Sequence, residues 1–372
     1  MKKKYKNVVI GAGLSGAVIA ERLANIGGED ILIIEKRNHI GGNCFDYFDE
    51  NGIFIHKYGP HIFHTEMDNV WNYLNNFTKF NNYEFKPQVV VEGKAVTLPF
   101  NLNTLHQVFE KEKADLLEKK LTDKYGYNGK VSILDLKNEK DEDLKNLSKF
   151  VYKNVFEGYT VKQWGLKPED IDPTVTARVP VIISHDDRYF QDKYQGIPTE
   201  GYTKMIENIL NHPNIEIRLN TDFFDIKDEV NFERLFFTGS VDEFFNYKYG
   251  ELPYRSLYFD IQEKEDEYFQ ATAMVNYPND YEFTRITEHK HFLGIQTNKT
   301  VVSYEYPQSF ELSKNERYYP ISNPKNQAIY ENYLKDAKKL KNVYFLGRLG
   351  DYKYYNMDLT IDRALKLAEE IK

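Results

Sequence analysis

An α/β fold is predicted for this chain of 372 residues: a parallel-sheet domain carrying an inserted helical subdomain and an antiparallel β-sheet subdomain. Three observations predict it. The run Val8-Val9-Ile10 opens into Gly11-Ala12-Gly13-Leu14-Ser15-Gly16, a buried strand passing into G-x-G-x-x-G. A second apolar run, Ile31-Leu32-Ile33-Ile34, ends in Glu35 and leads through Lys36 to Gly41-Gly42-Asn43. Further along, the apolar spacing turns helical over 102–161 and then breaks into short alternating runs over 256–302.

The glycine element comes first because its chemistry is the most constrained. Gly11 permits the tight turn, Gly13 lets a pyrophosphate approach the backbone, and Gly16 allows close helix–strand packing. Leu14 and Ser15 open the helix, whose unpaired N–H groups and positive dipole end suit an anion. A lone G-x-G-x-x-G is weak, since glycine is common and the pattern loose; Glu35 at the end of the next strand strengthens it. A carboxylate there can accept hydrogen bonds from both ribose hydroxyls and would repel a 2′-phosphate, which favours FAD over NADP. No second G-x-G-x-x-G occurs, so a separate nicotinamide domain of that kind is not expected. Asn342 to Leu346 reads as a strand ending at Gly347-Arg348, followed by a helix from Asp358 with Ile361, Leu365 and Ala368 on one face. By fold analogy, such a C-terminal return places a helix beneath the isoalloxazine. The first domain is therefore read as a Rossmann-like FAD-binding domain, with Gly42, Asn43, Met357 and Asp358 among its cofactor residues.

Composition bounds the partners. A formal charge of −8 argues against non-specific nucleic-acid binding, which needs an excess of Lys and Arg. An aromatic share of 15%, with 29 Tyr, suits a site that stacks rings and reads phosphates with phenols. Cys44 is the only cysteine, so no internal disulfide forms; a small buried side chain in a reducing cytoplasm is the expectation. Lys2 to Lys4 before apolar residues resembles a signal peptide, but three glycines and the onward run into Glu21 and Arg22 argue against one. No run approaches the ~20 apolar residues of a membrane span, and no metal site is expected.

The expected domain layout is discontinuous. Residues 1–80, 200–245 and 335–372 make the FAD-binding domain, with Leu235 to Gly239 supplying a returning strand. Residues 102–185 make the helical subdomain, where Leu144, Leu147, Val151 and Val155 recur at helical spacing. Within it, Asn138 to Asn146 is a charge run read as a solvated face. Pro168, Pro173 and Pro180 mark a mobile lid at about 166–181. Residues 81–101, 186–199 and 246–334 make the antiparallel sheet.

One further set of segments names a family. They are Lys57-Tyr58-Gly59-Pro60-His61-Ile62-Phe63-His64-Thr65, Gly158-Tyr159-Thr160-Val161-Lys162-Gln163-Trp164-Gly165, Leu252-Pro253-Tyr254-Arg255-Ser256, and Gly347 through Asp358. In order and spacing, over essentially the whole chain, they resemble UDP-galactopyranose mutase of the bacterial type. The resemblance implies a non-redox interconversion of UDP-galactopyranose and UDP-galactofuranose that requires reduced FAD, through a covalent flavin N5–sugar adduct. It implies Arg178 and Arg285 as diphosphate clamps, with Tyr189, Tyr319 and Tyr354 donating to the same phosphates. Phe156 and Tyr159 would pack around the uracil, Trp164 would border the sugar, and Thr160 and Asn276 would join the substrate site. His61 would face the flavin, His64 only weakly so, and Arg255 and Arg348 would add positive charge on the flavin side. A homodimer is expected by family analogy. No role is carried onto Phe85, where many relatives hold a short polar residue, and Asn356 stands where some have aspartate.

Alternatives remain open at this point. A structural histidine is the bland reading of His61 and of His64, and a surface ion pair that of any single arginine. The same ring contraction on UDP-N-acetylgalactosamine would leave every motif unchanged. A redox FAD oxidoreductase would share the glycine motifs but gives no reason for arginine–tyrosine clamps.

Overall fold

A computed structural model describes residues 4–165 and 180–371. The chain forms two compact units: Met1–Tyr83, Asp192–Tyr254 and Leu312–Lys372 make the first, Glu84–Gln191 and Arg255–Glu311 the second.

The first unit is built on a parallel sheet whose strands run in the order Ile215–Arg218, Ile31–Ile34, Lys4–Ile10, Asn231–Phe237, Val343–Phe345. Val8, Val9, Leu32 and Ile33 are fully buried, as a parallel sheet covered on both faces requires. Lys4–Ile10 lies at the centre, with the earlier strand on one side and the later strand on the other. That reversal opens a crevice at the carboxyl ends of the strands. Helix Leu14–Gly27 packs against the C-terminal helix Met357–Glu370. The latter buries Ile361, Ala364, Leu367 and Ala368. The expected face is thus turned slightly: Leu365 sits at the edge of the stripe and is only half-buried.

Two segments expected in the antiparallel sheet belong to this unit instead. Tyr194–Gly196 pairs antiparallel with Phe63–Thr65, a three-residue match too short to announce itself in sequence. Residues 312–334 include the start of helix Pro324–Ala337, marked by an Asn323 cap accepting from the Asn326 amide and by Pro324 at the first helical position. The ends of each excursion into the second unit are tied together within the first. The Asn81 amide donates to Ile197 O at 2.9 Å and the Ile197 amide to Asn81 Oδ1 at 2.8 Å; the Ile321 amide donates to Pro253 O at 3.0 Å.

The second unit joins a helical layer to a sheet. The sheet order is Tyr254–Lys264, Thr300–Ser309, Arg285–Glu288, Met274–Asn276, Gln88–Val91, Lys94–Thr97. Its pairs are antiparallel except at Met274–Asn276 beside Gln88–Val91, where the two excursions meet in parallel. The purely antiparallel expectation is corrected at that one junction, which joins strands far apart in sequence and so leaves no local signal. Helices Leu102–Val108, Lys111–Tyr125 and Glu142–Val151 pack Leu105, Leu117, Leu121, Leu144, Leu147 and Val151 into one core with Val89 and Phe100. Glu142–Val151 runs on through a π-helical turn, Tyr152–Glu157, into Gly158–Trp164. The charge run is a solvated face, with Asp141 and Asp143 both paired to Lys120. His289 is fully buried against Ser303 Oγ at 2.9 Å, and burial pushes its pKa down to about 3. Among the described residues no helix is long and apolar enough to cross a membrane, and no metal-ligating cluster forms. The expected lid, 166–181, lies almost wholly outside the described residues, and Arg178 with it.

Candidate functional site

In the first unit the loops at the strand ends converge. Gly11 has a φ of +97°, and a Cβ there would strike the Thr238 hydroxyl; a Cβ on Gly16 would strike the carbonyl of Gly11. The helix therefore sits on its strand as closely as two backbones allow. The Gly41-Gly42-Asn43 turn closes on the same loop: Gly42 has a φ of +56°, and a Cβ on it would lie 3.0 Å from Gly13 Cα. Helix Leu14–Gly27 begins at Gly13 with no side chain capping its amides. Gly347 brings the fourth loop in, a Cβ there meeting Ser15 Oγ at 2.6 Å. What results is a cradle of bare backbone at a helix N-terminus, which suits a phosphate.

Glu35 is buried beside that cradle. Its Oε2 accepts from the Ala12 amide at 2.8 Å and its Oε1 from the Arg37 amide at 2.8 Å. The carboxylate thus ties the glycine turn to the end of the next strand. Arg37, which sequence reasoning passed over, donates to Asn43 Oδ1 and Glu316 and lies over the Tyr58 ring at 4.5 Å. Lys36 pairs with Glu316 at 3.5 Å. His39 stacks on Phe45 at 3.8 Å and takes the Tyr58 hydroxyl at 2.8 Å. Burial, with Arg37 and Lys57 nearby, lowers its pKa, so it sits neutral.

The GPHIFHT segment reaches the same end of the sheet. The His61 amide donates to His56 Nδ1 at 2.9 Å, and His61 Nδ1 donates to Gly59 O at 2.8 Å, which fixes the ring's tautomer. His64 Nδ1 lies 3.2 Å from Asp192. Thr65 donates to Asp358 at 3.1 Å in the first turn of Met357–Glu370, and Met357 Sδ touches Cys44 Sγ at 3.8 Å. Burial pushes the Cys44 thiol up to about 12, fitting the inert role expected of it. Arg348 donates to Tyr318 O and Tyr355 O and lies over the rings of Tyr319 and Tyr354, which are 5.2 Å apart. Among the described residues no carboxylate stands within ion-pair distance of it. The first unit therefore gathers Gly11, Gly13, Leu14, Ser15, Gly16, Glu35, Lys36, Gly42, Asn43, His61, Tyr319, Arg348, Tyr354, Met357 and Asp358.

The remaining candidates lie in the second unit. Phe156 is a core residue, its ring 5.7 Å from Tyr152, while Tyr159 and Trp164 are half-buried on Gly158–Trp164. Thr160 is buried on the same helix. Arg285 stands directly across from Glu305, donating from Nε at 2.7 Å and from Nη2 at 2.6 Å. Its other strand neighbour is Asn276, whose buried Oδ1 has no partner among the described residues. Arg255 lies on strand Tyr254–Lys264 of the second unit's sheet. Its Nε donates to Gln163 O at 2.9 Å, Nη2 to Lys162 O at 3.2 Å and Nη1 to Ser309 Oγ at 3.2 Å. Tyr189 stacks edge-on against Phe85 at 5.6 Å, and its amide donates to Phe85 O at 2.8 Å. Phe85 is thus a buried support for Tyr189, which gives it the role left open in sequence. Glu305 and Lys162 were missed. A glutamate inside the apolar run Tyr304-Glu305-Tyr306 calls for a buried cation partner, and that signal was there to follow.

The cradle fits a dinucleotide: it offers uncapped amides, a buried carboxylate at the end of the next strand, and no side chain where a Cβ would intrude. Comparison with known proteins adds the family. The family described as UDP-galactopyranose mutase matches residues 154–354, and an NAD(P)-binding Rossmann-like domain matches 9–77. A probable UDP-galactopyranose mutase of Klebsiella pneumoniae is 40% identical over 98% of this chain and 94% of its own length. A dTDP-fucopyranose mutase of Escherichia coli is 38% identical over 98% and 97%. A crystal structure of reduced UDP-galactopyranose mutase shares the fold, with a TM-score of 0.69 and 16% identity over 99% of this chain and 93% of that one. On the family match and these full-length identities, the chain belongs to the UDP-galactopyranose mutase family.

Proposed function

We propose that the chain interconverts UDP-galactopyranose and UDP-galactofuranose and needs FAD in its reduced form to do so. The observation that carries this is the family match over 154–354, which contains Tyr159, Trp164, Arg285, Tyr319, Arg348 and Tyr354. Reduced FAD, when bound, would supply the nucleophile for substitution at the sugar's anomeric carbon, with UDP as the leaving group.

The residues' own contributions follow from charge and position. The uncapped N-terminus of Leu14–Gly27 and the Gly13–Gly42 approach hold the cofactor's pyrophosphate, and Glu35 meets its ribose. Arg348, held by two carbonyls, adds positive charge that favours an anionic reduced ring. His61, pinned by His56 and Gly59, orients toward the same group. Arg285, oriented by Glu305, and Arg178 neutralise the diphosphate, whose charge grows as the glycosidic bond breaks. Tyr189, Tyr319 and Tyr354 add neutral donors. Tyr159 and Trp164 pack base and sugar, with Phe156 supporting their helix from the core, and Asn276 offers an amide beside Arg285. A homodimer working in the cytoplasm completes the reading; light scattering on the purified protein checks the first part.

A second reading is favoured by one observation. The dTDP-fucopyranose mutase of E. coli covers as much of this chain as the Klebsiella relative, at nearly the same identity. The test is chromatography of UDP-galactofuranose, dTDP-fucofuranose and UDP-N-acetylgalactofuranose with the purified protein, with and without dithionite. Conversion of UDP-galactofuranose only in the reduced sample is expected. Preferential conversion of either other sugar moves the assignment to it, and inactivity of reduced, FAD-loaded protein on all three overturns the reading.

A further inference from the structure

Arg255 is held by partners that its neighbourhood in sequence does not announce. Its side chain is buried at 7% exposure, yet among the described residues no carboxylate reaches it. A buried guanidinium without a counter-charge is costly, so its surroundings must supply negative potential. They do so through a helix end. Lys162 O and Gln163 O belong to the last turn of Gly158–Trp164, where carbonyls have no partner within the helix and the dipole is negative. The chain turns immediately afterwards at Gly165, with φ of +64°, whose position leaves 3.1 Å between a built Cβ and Arg255 Nη1. The third donor reaches Ser309 Oγ on the adjacent sheet strand.

The same helix is fastened at its other points by similar means. Gly158 lies against Pro278 O and Asn279 Oδ1 so closely that any Cβ would clash. Lys162 Nζ donates to Tyr277 O at 2.8 Å and to Asn279 O and Phe283 O at 3.4 Å. Burial lowers the pKa of Lys162, and the carbonyls stand in for a counter-ion. The Arg255 joint acts on the same last turn through its backbone carbonyls, next to Trp164.

We propose that Arg255 is a positioning residue: its guanidinium fork locks the C-terminal turn of Gly158–Trp164 to the sheet and thereby sets Trp164 for the nucleotide-sugar. The fork matters because it spans two successive carbonyls and a hydroxyl, which a lysine ammonium cannot do in one geometry. This rests on the mutase reading for its substrate, but the joint itself can be read without substrate. Trp71 and Trp164 are the two tryptophans, so holoenzyme labelled with 5-fluorotryptophan gives two ¹⁹F signals, assigned by Trp164→Phe. In Arg255→Lys the Trp164 signal shifts or broadens while that of Trp71 stays; FAD content and flavin midpoint potential remain those of the wild type. KM for UDP-galactofuranose rises by roughly tenfold, as the loss of charge-assisted hydrogen bonds at one joint implies, with kcat changing less. Should Arg255→Lys not fold, Gly165→Ala strains the same joint from the other side and must move the same signal.

A lost cofactor or a shifted flavin potential in Arg255→Lys would return the residue to the flavin side and overturn the proposal. So would an unmoved Trp164 signal with unchanged KM. Failure of the mutase reading shows differently: the ¹⁹F shift persists, but wild-type protein converts no nucleotide-sugar, and the substrate part of the role falls while the joint stands.

Discussion

The two units build their candidate sites in opposite ways. In the first, the cradle is made of backbone: Gly11, Gly13, Gly16, Gly42 and Gly347 bring loops within contact and leave amides uncovered. In the second, the candidates are side chains, and three charged ones among the described residues are held by partners remote in sequence. Arg255 reaches back to Gln163, Lys162 forward to Tyr277, and Arg285 across to Glu305. A backbone site tolerates almost no added atoms. A side-chain site tolerates substitution, but loses its aim when a supporting partner goes.

Gly13→Val is the sharpest way to break the first half of that comparison. Its branched side chain would enter the space shared with Gly42, and the purified variant should emerge colourless. A yellow variant with a normal ratio of 450 nm to 280 nm absorbance would refute a backbone-made cradle. Glu305→Gln probes the second half. It leaves Arg285 partly buried beside a neutral amide, and breaking such a pair costs about 3 kcal/mol. Urea unfolding should show a lowered midpoint while FAD stays bound; an unmoved midpoint would mean that Arg285 holds its place without Glu305.

The effect that is smallest at neutral pH emerges as the pH falls. His289 has a folded pKa of about 3 against an ordinary 6.5, so below 6.5 the unfolded chain takes a proton that the folded chain refuses. Stability contributed by the neutral ring is therefore present above 6.5 and lost as pH falls toward 3, at up to about 1.4 kcal/mol per pH unit. His289→Gln should flatten the acid side of the stability curve by one proton. A slope identical to wild type would sink the assignment.

The legibility of the sequence follows the same division. The glycine spacing, the strand ending in Glu35 and the helical period at Leu144, Leu147 and Val151 are local patterns, and each holds in the structure. The supports are not local. Nothing near Arg255 in sequence announces a helix end some ninety residues upstream, so the partners of its guanidinium are not legible there. Phe85 was recognisable as unusual but not as the support of Tyr189. Tyr194–Gly196 and the parallel junction at Met274–Asn276 are short strands whose pairing depends on tertiary context rather than on their own residues.

The paired necks at Asn81–Ile197 and Pro253–Ile321 bear on how such a molecule diversifies. Each excursion leaves and re-enters the first unit through ends already fastened to each other, so the loop-closure entropy of what hangs beyond them depends only weakly on its length. A lineage can lengthen, trim or replace the second unit's segments with little thermodynamic consequence for the sheet that carries the glycine loops. A change in what the second unit presents then becomes an edit beyond the necks, made without rebuilding the backbone cradle of the first.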